Sequence, residues 1–166
     1  MTHANDDSSS CPHCEAAIEP DNDFCPTCGE LFIDDALCDK HPKQRAVGVC
    51  IVCTKPFCSK CGHRVKNHFL CNEHDALEIY EGMARVFGNS DAVQVEFAKS
   101  SLETAGFHPL VFSRKASPIS LGGSDYTLFK ASGDYDGHVI NEFKLMVPCQ
   151  EVESATEELH KLKFIE

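Results

Sequence analysis

The chain has 166 residues, enough for one or two small domains, and carries 11 cysteines, nine histidines and a net charge of −11. Apolar residues make up 42%, a globular proportion that excludes a chain disordered throughout. No apolar run approaches the roughly 18 residues of a spanning helix, and the longest, 46–53, is eight.

Residues 1–10 (MTHANDDSSS) are polar, with neither a basic start nor an apolar stretch, so a mobile tail is expected rather than a secretory signal. A reducing, cytoplasmic setting follows, in which paired cysteines are metal ligands rather than disulfides. Acidic residues dominate the start: 1–37 hold nine Asp/Glu and no Lys or Arg, whereas 38–75 hold seven Lys/Arg and three acids. The overall negative charge disfavours polyanionic partners, and thiolate ligation deepens it.

Residues 11–32 contain CPHC-x10-CPTCG, with Cys11, Cys14, Cys25 and Cys28 in two CxxC pairs. Two intervening residues let a tight turn aim both sulfurs at one tetrahedral Zn²⁺, with Zn–S of about 2.3 Å. Gly29 suits a left-handed turn after the second pair. A segment this short needs the ion for its folding energy. Four cysteines leave no open coordination position, which makes the site structural. His13 lies inside the first turn and is expected at the surface. The motif, with Pro after the first Cys of each pair and Phe24 before the second, resembles the zinc ribbons at the ends of many prokaryotic proteins.

After a short hinge at 34–36, residues 38–75 show C-x2-H-x8-C-x2-C-x4-C-x2-C-x9-C-x2-H. Eight ligands in four pairs specify two further four-coordinate zincs, three ions in all. The four-residue gap between Cys53 and Cys58 is too short for the inner pairs to share an ion comfortably. Interleaving gives Cys38, His41, Cys58 and Cys61 for one, and Cys50, Cys53, Cys71 and His74 for the other. His68 is a rival to His74, because His68-Phe69-Leu70-Cys71 is also a feasible pair. His63 follows Cys61 too closely to join its ion easily. Alternation at Val47, Val49 and Ile51 predicts a strand. The opening CxxH-P and the interleaving resemble the B-box zinc finger, although B-boxes usually close with two histidines. The spacing does not fit a RING finger. Lys40, Lys43, Arg45, Lys55, Lys60, Arg64 and Lys66 raise a nucleic-acid alternative, but few aromatics are interleaved for stacking.

Beyond His74 the pattern changes, and a domain is expected over 78–166. Residues 79–87 predict a strand. Asn89-Ser90-Asp91 offers a helix N-cap. Ala92, Val95, Phe97, Ala98, Leu102 and Ala105 recur at helical spacing, and Gly106 stops the helix. Leu110, Val111 and Phe112 predict a short buried strand. A loop with Pro118 and Gly122-Gly123, a strand at 126–131 and a turn at 132–134 come next. Phe143, Leu145 and Val147 alternate as a half-buried strand, and 150–161 form a helix with one apolar face.

This order predicts an α+β, ferredoxin-like two-layer domain. The segments VFGNSDAVQVEFAKSSLETAGFHPLVF and FKLMVPCQEVESATEELHKL resemble a small prokaryotic domain of unknown function labelled as signal-transducing. That resemblance implies no catalytic residues. Asp134, Asp136 and His138 are best explained as a polar turn. Cys149, the unpaired cysteine, stands before a helix start and is expected to be a plain thiol. No nucleophile–base pair or phosphate loop stands out. The expectation is a non-enzymatic adaptor or sensor whose C-terminal domain meets a protein partner. Nucleic-acid binding and a zinc-thiolate redox switch are the alternatives.

Overall fold

A computed structural model describes residues 9–113, 134–135, 138–139 and 142–165. The chain divides into two compact units, Met1–Leu77 and Glu78–Glu166.

The first unit consists of small hairpins. β1 (Ser9–Ser10) pairs with β2 (Ala17–Ile18), and Phe24 bridges Leu31. Leu37 bridges Arg45, and β3 (Gly48–Val49) pairs with β4 (Pro56–Phe57). The alternation at Val47, Val49 and Ile51 thus yields a strand of only two residues, because the chain turns at the next ligand pair, Cys50 and Cys53. β5 (Gly62–Val65) and β6 (His68–Cys71) form the longest hairpin. Residues 11–32 and 38–75 are pinned together. Phe69 N donates to the Cys28 carbonyl (2.9 Å), Val49 N donates to the Gly29 carbonyl (2.9 Å), and Arg64 pairs with Glu30. The 34–36 stretch therefore connects two halves of one body.

In the second unit, β7 (Ile79–Tyr80), β8 (Met83–Asn89), β9 (Leu110–Ser113) and β12 (Phe143–Pro148) form an antiparallel sheet in the order β7-β8-β12-β9. β10 (Asp134–Tyr135) and β11 (His138–Val139) are a separate hairpin, so Asp134 stands in a strand rather than a turn. The 126–131 strand and the glycine loop lie outside the described residues. Where one strand was expected over 79–87, two appear. Glu81 and Gly82 both have positive φ (47° and 77°), the twist of a two-residue hairpin turn.

α1 (Ala92–Thr104) begins at Asp91, whose carboxylate accepts from Val93 N at 2.9 Å. α2 (Val152–Lys161) follows one turn of 3-10 helix. Both pack on β8 and β12, forming two layers. Val95, Ala98, Leu102, Val152, Ala155 and Leu159 meet Leu145 and Val147 in the core. Phe97 is 65% exposed, contrary to its helical spacing. The buried stripe follows Val95, Ala98 and Leu102, and Phe97 sits to its side against Phe164. Nor is β9 buried: it is an edge strand, with Leu110 55% exposed.

β12, by contrast, is central in the sheet and buried on both faces: the helices cover one, and the curled sheet margins close over the other. Its far face carries Lys144, whose ammonium donates to both Glu78 oxygens (2.6 and 2.7 Å), next to the Arg85–Glu142 pair. Paired this way, the buried charges avoid the several kcal/mol that an isolated one costs. Tyr80 and Phe112, from opposite edges, bring their rings to 5.9 Å, so the sheet curls until its margins meet.

Leu102→Ala removes a fully buried side chain and is expected to cost about 2–5 kcal/mol, Asp91→Ala about 1 kcal/mol, and Phe97→Ala less than about 1 kcal/mol. All three tyrosines lie in 78–166, so urea unfolding followed by tyrosine fluorescence reports on this unit alone. Equal losses at Leu102 and Phe97 would contradict the packing.

Candidate metal centres

Four ligand pairs, Cys11/Cys14, Cys25/Cys28, Cys38/His41 and Cys50/Cys53, sit at the tips of small hairpins, and in three of them the backbone repeats. Glu15 N donates to the Cys11 carbonyl, Gly29 N to that of Cys25 and Thr54 N to that of Cys50, all at 2.8 Å. Glu15, Gly29 and Thr54 have φ of 61°, 77° and 55°. Gly29 was foreseeable; Glu15 and Thr54 accept a left-handed conformation that only the hairpin imposes.

Three groups result: Cys11, Cys14, Cys25 and Cys28; Cys38, His41, Cys58 and Cys61; and Cys50, Cys53, Cys71 and His74. Within each, the ligand atoms lie within 4.8 Å of one another. In the first cluster, Cys11 and Cys28 Sγ are 3.7 Å apart and Cys14 and Cys25 Sγ 3.6 Å. A disulfide needs about 2.05 Å, whereas a tetrahedron with metal–sulfur bonds of about 2.3 Å has edges near 3.8 Å. In the second, His41 Nδ1 lies 3.2, 3.6 and 3.9 Å from the sulfurs of Cys61, Cys58 and Cys38. In the third, His74 Nδ1 lies 3.2 Å from Cys71 and 3.6 Å from Cys50. A sulfur–nitrogen edge of a tetrahedral site is about 3.6 Å, so these donor sets fit one ion each.

Interleaving has a plain structural basis. The β5–β6 hairpin starts after Cys61 and ends at Cys71, with Gly62 opposite Cys71, so one ribbon carries ligands of both clusters. His68 points elsewhere, its Nδ1 lying 3.0 Å from the Thr27 carbonyl. His63 lies 3.8 Å from Asp75. His13 contributes only its backbone N–H, to the Cys11 sulfur at 3.4 Å. Cys149 is buried, its N–H bonded to the Gly82 carbonyl.

The thiols within each cluster are electrostatically opposed. The Cys53 thiol bonded to Cys50 draws Cys50 down to about 4 despite burial, and the same bond, with burial, pushes Cys53 far up. Burial raises Cys38, but the N–H groups of Cys58 and Lys40 and the His41 ring outweigh it, to about 6. Burial and the thiols of Cys58 and Cys38 push Cys61 up to about 11. Burial also opposes ionisation of Cys11, yet the N–H groups of Cys14 and His13 bring it to about 7, while burial and neighbouring thiols raise Cys28. In each cluster one sulfur is drawn below the ordinary thiol range while a neighbour is pushed above it. A divalent cation at the centre removes that conflict.

The chain matches no protein-family model, no curated protein and no solved structure. The case for the three centres therefore rests on their own chemistry.

At saturating cadmium, Cys58→Ser is expected to shift the ¹¹³Cd resonance of the Cys38/His41/Cys61 site and leave the other two resonances in place. A shift at the Cys50 site instead would establish sequential pairing. A strong chelator is expected to abolish hydrogen-exchange protection over 9–77 and leave it over 78–165, where the described residues hold no such cluster. Joint loss would show that one core serves both units.

Proposed function

We propose that this is a non-enzymatic zinc protein: three structural Zn²⁺ ions shape a ribbon and B-box-like N-terminal unit, and a ferredoxin-like C-terminal unit meets a protein partner or effector in adaptor or signalling work. The observation that carries this reading is the closure of all three clusters. Each supplies four protein donors, whereas a catalytic zinc keeps a position open for water or substrate. Bound Zn²⁺ would supply folding energy, roughly 10–16 kcal/mol apparent per ion in small zinc modules. The residues do the rest: Cys and His present soft sulfur and nitrogen donors, which favour zinc over magnesium or calcium.

The ferredoxin-like reading rests on the order β8-α1-β9-β12-α2, with β12 between β8 and β9. The edge beside β8 belongs to β7 from the preceding hairpin instead of to a strand after α2. A docking role is supported by large apolar side chains left in water: Val93 and Phe97 on α1, and Tyr80, Leu110 and Phe112 on the sheet. Among the described residues, no helix is long and apolar enough to cross a membrane. Sulfur separations of 3.7 and 3.6 Å in the first cluster fit metal ligation, the use that cysteine pairs find in a reducing cytoplasm. The nucleic-acid alternative is weakened because Lys40, Lys55 and Arg64 are engaged by Glu73, Asp39 and Glu30.

Protein isolated without added metal is expected to contain three zincs per chain by elemental analysis. One or none, with disulfides in their place, would overturn the reading. Cross-linking in cells should then capture a protein that Phe97→Asp or Phe112→Asp loses at unchanged zinc content. Salt-sensitive oligonucleotide binding, or zinc release by peroxide as the only partner-controlling event, would favour the alternatives.

A further inference from the structure

Phe69 occupies a place where backbone next to ligands of all three clusters converges. It is 2% exposed and stands on β6, two residues before Cys71. Its ring is clasped between Gly48 and Gly62. A Cβ on Gly48 would come within 2.5 Å of the ring and one on Gly62 within 2.8 Å. On Gly29 a Cβ would lie 2.9 Å from the Phe69 Cβ and 2.1 Å from the Val49 carbonyl oxygen. Gly29 directly follows Cys28 of the first cluster, Gly62 directly follows Cys61 of the second, and Gly48 precedes Cys50 of the third by two residues. The main chain adds direct links. Phe69 N donates to the carbonyl of Cys28, itself a ligand, at 2.9 Å, and the Phe69 carbonyl accepts from Ile51 N, next to Cys50, at 3.2 Å.

We infer that Phe69 is a positioning residue shared by the three metal sites, and that through it the filling of one site strengthens ion binding at the others. The inference rests on the reading that the clusters hold metal. When the first cluster is empty, the Cys28–Gly29 segment loses its anchor. The donors and surface it offers Phe69 and Val49 then shift with it, and so does the backbone that aims Cys50 and Cys71. Gly62 transmits the same displacement to Cys61. Partners lying just outside a ligand set typically change metal affinity 10–100-fold, which sets the size of the effect. A Phe69 that only filled space would lower stability without making one site's occupancy felt at another.

The test is a double-mutant cycle on the full chain, read by chelator competition. Co²⁺ is the probe, because its absorption separates four-sulfur from three-sulfur, one-nitrogen sites. Wild-type protein should bind three Co²⁺ and sets the reference affinity of each class of site. Cys11→Ser with Cys14→Ser should lower the affinity of the two remaining sites about tenfold. In a Phe69→Leu background the same ribbon change should shift them less than about twofold. Gly29→Ala, which crowds the Val49 carbonyl but keeps the aromatic ring, should uncouple the ribbon alone; it serves as the background if Phe69→Leu is insoluble. Remaining sites indifferent to the ribbon variant, or an equal shift in both backgrounds, would overturn the coupling while leaving the metal reading intact. Failure of wild-type protein to bind three Co²⁺ would instead overturn the metal reading.

Discussion

Thiols packed 3.6–3.7 Å apart cannot all ionise unless a cation lies between them, and residues 9–77 are organised around that constraint. Apolar burial here is thin: Val49, Ile51, Val52, Phe57, Phe69 and Leu70 are the fully buried side chains other than cysteine. Against the conformational entropy of so many residues this is too little, and on the proposed reading metal closing the three four-donor sets supplies the rest. Short hairpins are the natural local solution. Each needs only a few backbone hydrogen bonds to hold a pair of ligands at a turn, and the left-handed residue after the second cysteine keeps both sulfurs on one side.

The second unit is stabilised in a different way. Leu145 and Val147 on the central strand meet the apolar stripes of two helices, and dehydration of these groups is the main favourable contribution. The sheet's other face is less usual. Lys144 and Glu142 are buried in ion pairs with Glu78 and Arg85 beneath a contact between the two sheet margins. Such pairs add little net stability, but breaking one strands a buried charge, so they oppose any alternative register of β12.

The two units thus depend on different conditions. On the proposed metal reading, metal availability and thiol oxidation act on the first, while heat and denaturant act on the hydrophobic packing of the second. Contacts through Phe69 join segments of all three ligand clusters within one N-terminal body.

Which cysteines and histidines cluster was legible from the sequence alone, because chelation geometry dictates the spacing within a candidate ligand pair. Interleaving also followed from the Cys53–Cys58 gap, a local length restriction. The Asp91 cap and the stripe of Val95, Ala98 and Leu102 are similarly local. What lay beyond sequence was decided by contacts between distant segments. The choice of His74 over His68 depends on the 25–28 turn offering its Thr27 carbonyl to His68. Phe97 and β9 remain exposed because burial depends on which elements lie across from a residue, not on its own periodicity. The union of the two metal modules rests on glycines at 29, 48 and 62, where the absence of a side chain matters only once the Phe69 ring arrives. Spacing along a chain encodes bonds to a common point; close packing between remote segments is a property of three-dimensional complementarity and appears only when the fold is assembled.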